Sequence, residues 1–376
     1  MLDRAHSDQT SAAYPFKLPP TLGERFAAGR LRLALAAAAL FGVAAFVLGA
    51  GNRLTRGPWF IYAPEVSLVP PFGSDAWRDA FVLHQQSPLY ALCGGYAVGG
   101  MESIVIFRFL YWWEWLRIAS IVLLAASLFV ALCFFLAKAL KSTRRPDPLL
   151  WIGFVAAPIG YFVLRYFADH AGLFATLNLG QHRHALDVTF ASVGLGILIA
   201  AAIAPERTAA GSALPRVAWG SVIALDIAFG ALFEAMDAGP LWTSFPGYTD
   251  SVLPGMDRLF VFHPWWRNLT ENGYLIQTCH RLLSIGLWAS GLIALANALL
   301  RRLPLARALA LFGLLTLDAV LGIATLRSGQ PVVLSILHQI GAVAVLAAAL
   351  VPPSRASDRR LSRRAIETRP GFFVGA

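Results

Sequence analysis

Charged side chains and cysteines are scarce in this sequence. Only 14% of its 376 residues are charged, the 21 acidic residues are outnumbered by 31 basic ones, and there are three cysteines. It contains no Cys-x-x-Cys pair, zinc-ligand spacing, glycine-rich phosphate loop or Gly-x-Ser-x-Gly turn, which argues against zinc modules, phosphate-loop nucleotidases and serine hydrolases. The predicted depths of Cys93, Cys133 and Cys279 argue against a structural disulfide, because bridged Cα atoms must come within about 7 Å.

Apolar residues dominate what is present. The chain is 57% hydrophobic with a mean hydropathy of +0.61, and its apolar runs are long enough to cross ~30 Å of hydrocarbon. The sequence therefore predicts an all-α integral membrane protein with eight transmembrane helices. The predicted spans are residues 31–50, 112–137, 149–168, 185–204, 217–236, 275–299, 305–324 and 333–351.

Basic residues are concentrated in the two tails and in three short loops. By the positive-inside rule these segments face the cytoplasm, which predicts that both termini are cytoplasmic. The first apolar run begins too far into the chain and is too long for a cleaved signal peptide, so we expect it to be a retained span. The net charge of +10 is then explained by topology and contact with lipid, with no nucleic-acid partner.

An internal repeat organises the predicted spans. In each set of four helices, a long outer loop separates the first and second helices and a short basic turn follows the second. This predicts two pseudo-symmetric four-helix bundles, residues 31–204 and 205–352, related by an axis along the membrane normal. Residues 1–30 and 353–376 form cytoplasmic tails. The outer loops, residues 51–111 and 237–274, are rich in aromatics, so we expect them to pack over the outer ends of the helices.

Two histidines lie at matching depth in two predicted helices that run the same way. His280 and His338 each stand about five to eight residues into an apolar run, or roughly 8–12 Å deep at 1.5 Å per residue. Two imidazoles at one depth can clamp a porphyrin iron as axial ligands. A single histidine on an apolar face is more often a satisfied core residue, but a matched pair in symmetry-related helices favours ligation.

Around both histidines the sequence resembles the heme A synthase family, of its long-loop type. The resemblance covers residues 31–352 and is most specific in the second half, around His280-Arg281 and His338-Gln339. In the first half it rests on the outer loop and on Trp112-Trp113-Glu114-Trp115. The other matching segments are residues 53–55, 70–71, 86–88, 230–239, 244–246, 264–272 and 321–326.

The resemblance implies a fold, a reaction and a set of partners. It implies that His280 and His338 hold a haem b in the second half, while the first half receives haem O and oxidises a ring methyl to a formyl group, giving haem A for cytochrome oxidase. It implies a location in the bacterial inner membrane and, as partners, membrane lipid, an electron donor and a haem O synthase. A homo-oligomer is compatible with it.

The first half departs from the family pattern at its two axial positions. Where the family has histidines, this chain has Arg117 and Asp187. The two have opposite charge and would each be costly alone in an apolar bundle, so we expect a buried ion pair in the vacated site. Two alternatives remain open: His184 supplies a substitute ligand one turn away, or Arg117 binds a haem propionate and Asp187 a water.

Glu114 is the residue that the resemblance identifies as catalytic. A carboxylate beside a haem methyl could take protons or stabilise developing positive charge, whereas the alternative role is a hydrogen-bond anchor for the outer loop. Asp226 and Asp318 stand where the family usually has glutamine, and we expect each to be neutral or paired. Two functions follow: a divergent heme A synthase, or a non-catalytic haem b protein for electron transfer, haem handling or oxidase assembly.

Overall fold

A computed structural model describes most of the helical part of the chain. The described residues are 22–54, 66–67, 69–86, 103–141, 163, 179–204, 214–236, 239, 242–248 and 251–351. Within these ranges the backbone forms helices and connecting loops, and the β-pairing is limited to one isolated bridge between Tyr248 and Ser251.

Seven of the described helices are long and apolar enough to cross a membrane. They agree with seven of the eight predicted spans, while the predicted span 149–168 lies outside the described residues except for Val163. The long helices are α1 (Leu22–Leu54), α3 (Ile104–Lys141), α4 (Leu179–Ile203), α5 (Leu214–Ala235), α8 (Gly273–Leu300), α9 (Leu305–Arg327) and α10 (Val332–Leu350). Shorter helices are α2 (Ser74–Gln85), α6 (Met256–Leu259) and α7 (Asn268–Glu271), and a 3₁₀ turn covers Trp265–Arg267.

The long helices form two sets that pack against each other. In the first set α1 contacts α3 and α4, and in the second α8 contacts α5 and α9 while α9 contacts α10. The sets meet where α4 packs on α5 and α10. Gly196 of α4 allows this approach, because a Cβ there would lie 2.8 Å from the side chain of Leu346. The eight-helix, two-bundle arrangement and its boundary near residue 204 stay predictions.

Helix starts set the depth of the two histidines. The side chain of Asn272 caps α8 by accepting a hydrogen bond from the amide of Tyr274 at 3.0 Å, and α10 follows Pro331, whose fixed φ suits a helix start. His280 is the eighth residue of α8 and His338 the seventh of α10. The two histidines therefore lie at nearly the same distance from the starts of their helices, and their matching depth in a membrane stays a prediction.

Basic side chains near the opposite helix ends also bind backbone. Arg216 donates to the carbonyl of Leu350 at 3.1 Å, and Arg307 donates to the carbonyl of Ala349 at 3.2 Å. Both carbonyls belong to the last turn of α10, where cations stabilise the unsatisfied carbonyl groups. These two arginines therefore cap the carboxyl end of α10.

The described parts of the outer loops pack as expected. On the first-half side, Trp77 of α2 is buried against Phe107 and Tyr111 of α3, with ring centroids 6.2 Å and 5.1 Å away. On the other side, the ring of Trp242 lies 4.3 Å from that of Tyr274 at the start of α8. Cys133 and Cys279 are free thiols, and Cys93 lies outside the described residues.

Candidate functional site

One large cavity lies inside the second set of helices. Its volume is about 610 Å³, within the range of pockets that hold cofactors. Side chains of α5, α8, α9 and α10 form most of its wall, and α4 adds Val188 and Ser192. His280 and His338 both line it, so the structure brings the two histidines together in one space.

The two imidazole rings lie close together in this cavity, in an edge-type arrangement. Their centroids are 6.3 Å apart, and the ring planes are inclined at 64°. Imidazoles on opposite sides of one metal, each with a metal–nitrogen bond of ~2 Å, hold their centroids roughly 6 Å apart. The described geometry therefore fits one metal between the rings. Within the described ranges, this site included, no group of three or more His, Cys, Asp or Glu side chains could hold a metal ion.

Each histidine is held by an aspartate on the preceding long helix. Nδ1 of His280 hydrogen-bonds with the backbone oxygen of Asp226 at 3.1 Å and lies 2.7 Å from its Oδ1. Nδ1 of His338 hydrogen-bonds with Oδ1 of Asp318 at 2.8 Å. Ser284 donates to the other carboxylate oxygen of Asp226 at 2.9 Å. The expectation that Asp226 and Asp318 are neutral or paired is confirmed, since both are paired.

A glycine four residues after each aspartate makes room for the ring. A Cβ on Gly230 would lie 3.2 Å from Cε1 of His280, and one on Gly322 would lie 2.9 Å from Cε1 of His338. Residues four apart share a helix face, so one face of α5 offers both the carboxylate and the space for the ring, and one face of α9 does the same. The Asp-x-x-x-Gly spacing thus occurs twice, once for each histidine.

Buried polar atoms without protein partners line the outer part of the cavity. Three buried atoms have no hydrogen-bond partner among the described residues: Nε of Arg281, Oε1 of Gln277 and Oγ1 of Thr325. The remaining nitrogens of Arg281 are used, because they donate to the carbonyls of Trp242, Pro246 and Gly247 at 2.9–3.2 Å. Arg281 therefore ties the outer loop to α8 while one buried N–H remains for another acceptor.

Glu234 connects this cavity to the first set of helices. One carboxylate oxygen lies 3.1 Å from Nε2 of His184 on α4, and the other accepts a hydrogen bond from Nε2 of Gln339 at 2.7 Å. Gln339 directly follows His338 on α10. The sequence analysis did not single out Glu234; its only signal was a carboxylate at the end of an apolar helix, which is costly unless it is paired.

The predicted pair between Arg117 and Asp187 is wrong. The guanidinium of Arg117 binds both carboxylate oxygens of Glu114, one turn earlier on α3, with Nε 2.8 Å from Oε2. Glu114 is buried, whereas Asp187 is exposed on α4. The physical reason is proximity: a partner three residues away on one helix is reached without bringing α3 and α4 together.

A comparison with known protein families identifies the family of this chain. The family COX15-CtaA, described as Cytochrome oxidase assembly protein, matches residues 32–350. The chain belongs to this family. Together with the seven apolar helices, membership in the COX15-CtaA family makes it a multi-pass membrane protein. No solved structure matches the chain.

Curated relatives extend along most of the chain. A protein named Heme A synthase from Azorhizobium caulinodans is 30% identical over 328 residues, covering 84% of this chain and 90% of the relative. Another of that name, from Rhodopseudomonas palustris strain BisA53, is 31% identical and covers 81% of this chain and 85% of the relative. A third, from Bradyrhizobium diazoefficiens, is 28% identical over 338 residues. The resemblance found in the sequence is thereby confirmed.

Proposed function

We propose that this protein is a heme A synthase-type membrane oxidoreductase that binds haem b between His280 and His338. The observation that carries the proposal is the 6.3 Å separation of two imidazoles that line one cavity. With Nδ1 directed at an aspartate, each ring presents Nε2 as its remaining ligand atom. When bound, haem b supplies a one-electron redox centre.

The residues around the cavity suit a porphyrin with acidic side groups. The wall is mainly apolar, as a porphyrin ring requires, and the free N–H of Arg281 is a donor for a propionate. Arg281 also holds the loop around Trp242 over the cavity, which limits access of water from the outer side. Under this proposal the histidines fix the cofactor and the loop covers it.

The proposed reaction takes place in the first half, with haem O as substrate. Converting a ring methyl to a formyl group with water as the oxygen source consumes one water and releases four protons and four electrons. The reaction written this way needs a membrane electron acceptor, such as a quinone or a cytochrome, in place of the electron donor that the resemblance implies. Glu114 is the proposed proton acceptor, because its side chain is buried. It lies in α3 between Trp112 and Trp115, whose rings contact each other. Arg117 holds that carboxylate in position.

A second candidate function is a non-catalytic haem b protein for electron transfer, haem handling or oxidase assembly. The pairing of Arg117 with both oxygens of Glu114 favours it, since those oxygens are then occupied. The histidines that would fix a substrate iron are also missing at positions 117 and 187. A substrate held less firmly reacts more slowly, and a misplacement of about 1 Å can cost a hundredfold in rate.

Haem A formation in a strain that lacks its own synthase but makes haem O distinguishes the two functions. If the protein is a synthase, extracted haems should include haem A with the wild type and much less with Glu114→Gln. The matched control is Glu271→Gln, which removes a carboxylate from another arginine pair, Arg267 with Glu271, in the outer loop. It should retain haem A formation. Expressed wild-type protein that yields no haem A, with haem O present, would establish the non-catalytic function.

The orientation and location are part of the same proposal. The basic tails and turns support a bacterial inner-membrane protein with both termini in the cytoplasm. Reporter fusions at the two termini test this, and activity of a periplasmic reporter at either end would contradict it.

A further inference from the structure

Two carboxylates of the cavity are unexplained by haem binding alone. Two histidines at the right separation are sufficient to ligate an iron, yet Asp226 and Asp318 each place a carboxylate oxygen within 2.8 Å of an imidazole nitrogen. Acidic groups within membrane spans are expensive and usually have a function. Their side chains are only about 15% and 17% exposed, so solvent screens these contacts weakly.

The two pairs are similar but not identical. Nδ1 of His338 hydrogen-bonds with Oδ1 of Asp318, whereas Nδ1 of His280 lies 2.7 Å from Oδ1 of Asp226 and hydrogen-bonds with the backbone oxygen of that residue. In each, an aspartate on the preceding helix contacts Nδ1, and a glycine four residues later lies beneath the ring. Gly341 leaves room for the carboxylate of Asp318, because a Cβ there would clash with Oδ1, and the hydroxyl of Ser284 donates to Oδ2 of Asp226. Both rings therefore have a carboxylate oxygen within 2.8 Å of Nδ1, although only His338 hydrogen-bonds with it.

A carboxylate acts on an imidazole in two ways that an amide does not match. It has no donor, so it fixes the proton on Nδ1 and leaves Nε2 with its lone pair directed away from the carboxylate. It also strengthens the electron-donating character of Nε2, which favours the oxidised state of a bound metal. Both effects make the histidine a better and more rigid ligand.

We propose that Asp226 and Asp318 are positioning residues that orient His280 and His338 and lower the reduction potential of the haem between them. This rests on the proposed haem b site. It implies that the haem donates electrons readily when reduced, and that the two aspartates contribute jointly because they act on opposite faces of one iron. Neither is a catalytic residue, since each acts through a histidine.

The test is redox titration of the purified, haem-loaded protein. Asp226→Asn and Asp318→Asn keep the side-chain size but replace the carboxylate, and each should raise the midpoint potential while the low-spin bis-histidine spectrum persists. The double variant should show a larger rise. Glu271→Gln, which removes a negative charge from the outer loop without contact to either histidine, should leave the potential unchanged. Haem affinity should fall by roughly 10–100-fold in the aspartate variants.

A measurement on the wild type keeps the proposal testable if a variant does not retain haem. Electron paramagnetic resonance of the oxidised protein should show imidazolate-like character compared with a bis-imidazole haem in water. Unchanged potentials in the variants, or a wild-type signal equal to the free bis-imidazole haem, would overturn the proposal. Absence of any low-spin haem in the wild type would instead contradict the proposed function, so the two failures are distinguishable.

Discussion

Glu234 of α5 contacts His184 of α4, with Oε1 of the carboxylate 3.1 Å from Nε2 of the imidazole. This polar contact joins the two sets of helices, and the second oxygen of Glu234 continues it to Gln339, next to His338. The sequence leaves open that His184 is a substitute ligand in the first half. In the structure, Nε2 of His184 instead contacts the carboxylate of Glu234, which lines the cavity of the second set of helices.

The first prediction concerns this contact. Replacing either Glu234 or His184 by leucine removes the hydrogen bond that the other residue makes in this partly buried pair. Each single substitution should lower the free energy of unfolding by about 1–3 kcal/mol. The double variant should lose less than the sum. Thermal unfolding in detergent measures both. Additive losses would show that the two residues do not interact, and loss of a haem spectrum in His184→Ala would show that His184 is an iron ligand.

The second prediction is the stoichiometry of haem. Purified protein should carry about one low-spin b-type haem per chain, because one close pair of histidines lines the described cavity. His280→Ala and His338→Ala should each abolish the low-spin spectrum. Pyridine haemochrome analysis and absorption spectra measure these values. Two six-coordinate haems per chain would contradict the prediction.

The third prediction concerns Arg117 and Glu114. Arg117→Leu leaves the buried carboxylate of Glu114 without its guanidinium, so it should destabilise the protein by about 3 kcal/mol, and adding Glu114→Leu should recover much of the loss. Asp187→Leu is the control, and because Asp187 is exposed its effect should be small. Thermal unfolding of the four variants measures this. A strong coupling between Arg117 and Asp187 would contradict the described pairing.

The fourth prediction concerns the glycines beneath the histidine rings. Gly322→Ala places a methyl group 2.9 Å from Cε1 of His338, so the ring must move, and we expect weaker haem retention and a cost of about 1–3 kcal/mol. Gly313→Ala on the same helix is the matched control, because no atom lies within 4 Å of its Cβ. Haem content after gel filtration measures the difference. Equal retention by the two variants would mean that the ring does not need this space.

The fifth prediction is a pH dependence from the outer loop. Burial raises the pKa of Tyr248 above its ordinary value of about 10, and a hydrogen bond with Thr278 partly opposes this. Above about pH 10 the unfolded state loses this proton first, so stability should fall as the pH rises toward the folded-state pKa. The fall should be smaller in Tyr248→Phe. Unfolding temperatures across alkaline pH measure it, and parallel curves would contradict the prediction.

The sequence by itself was sufficient for the coarse architecture. Long apolar runs predict membrane helices because unpaired backbone groups are too costly in hydrocarbon, and seven of the eight predicted spans match described helices. The distances of His280 and His338 from the starts of their helices also followed from sequence, since rise per residue is nearly constant in a helix. The motifs around them indicated the family.

Side-chain partners were decided by tertiary structure. The opposite charges of Arg117 and Asp187 suggested an ion pair between them. The sequence does not give the distance between α3 and α4, and in the structure Arg117 binds Glu114 within its own helix. The pairing of each histidine with an aspartate depends on which faces of α5 and α8, and of α9 and α10, meet. Hydropathy does not predict how each helix is rotated about its own axis, because an apolar helix can pack in many orientations. Small residues such as Gly230 and Gly322 select one orientation by leaving room for the histidine of the neighbouring helix.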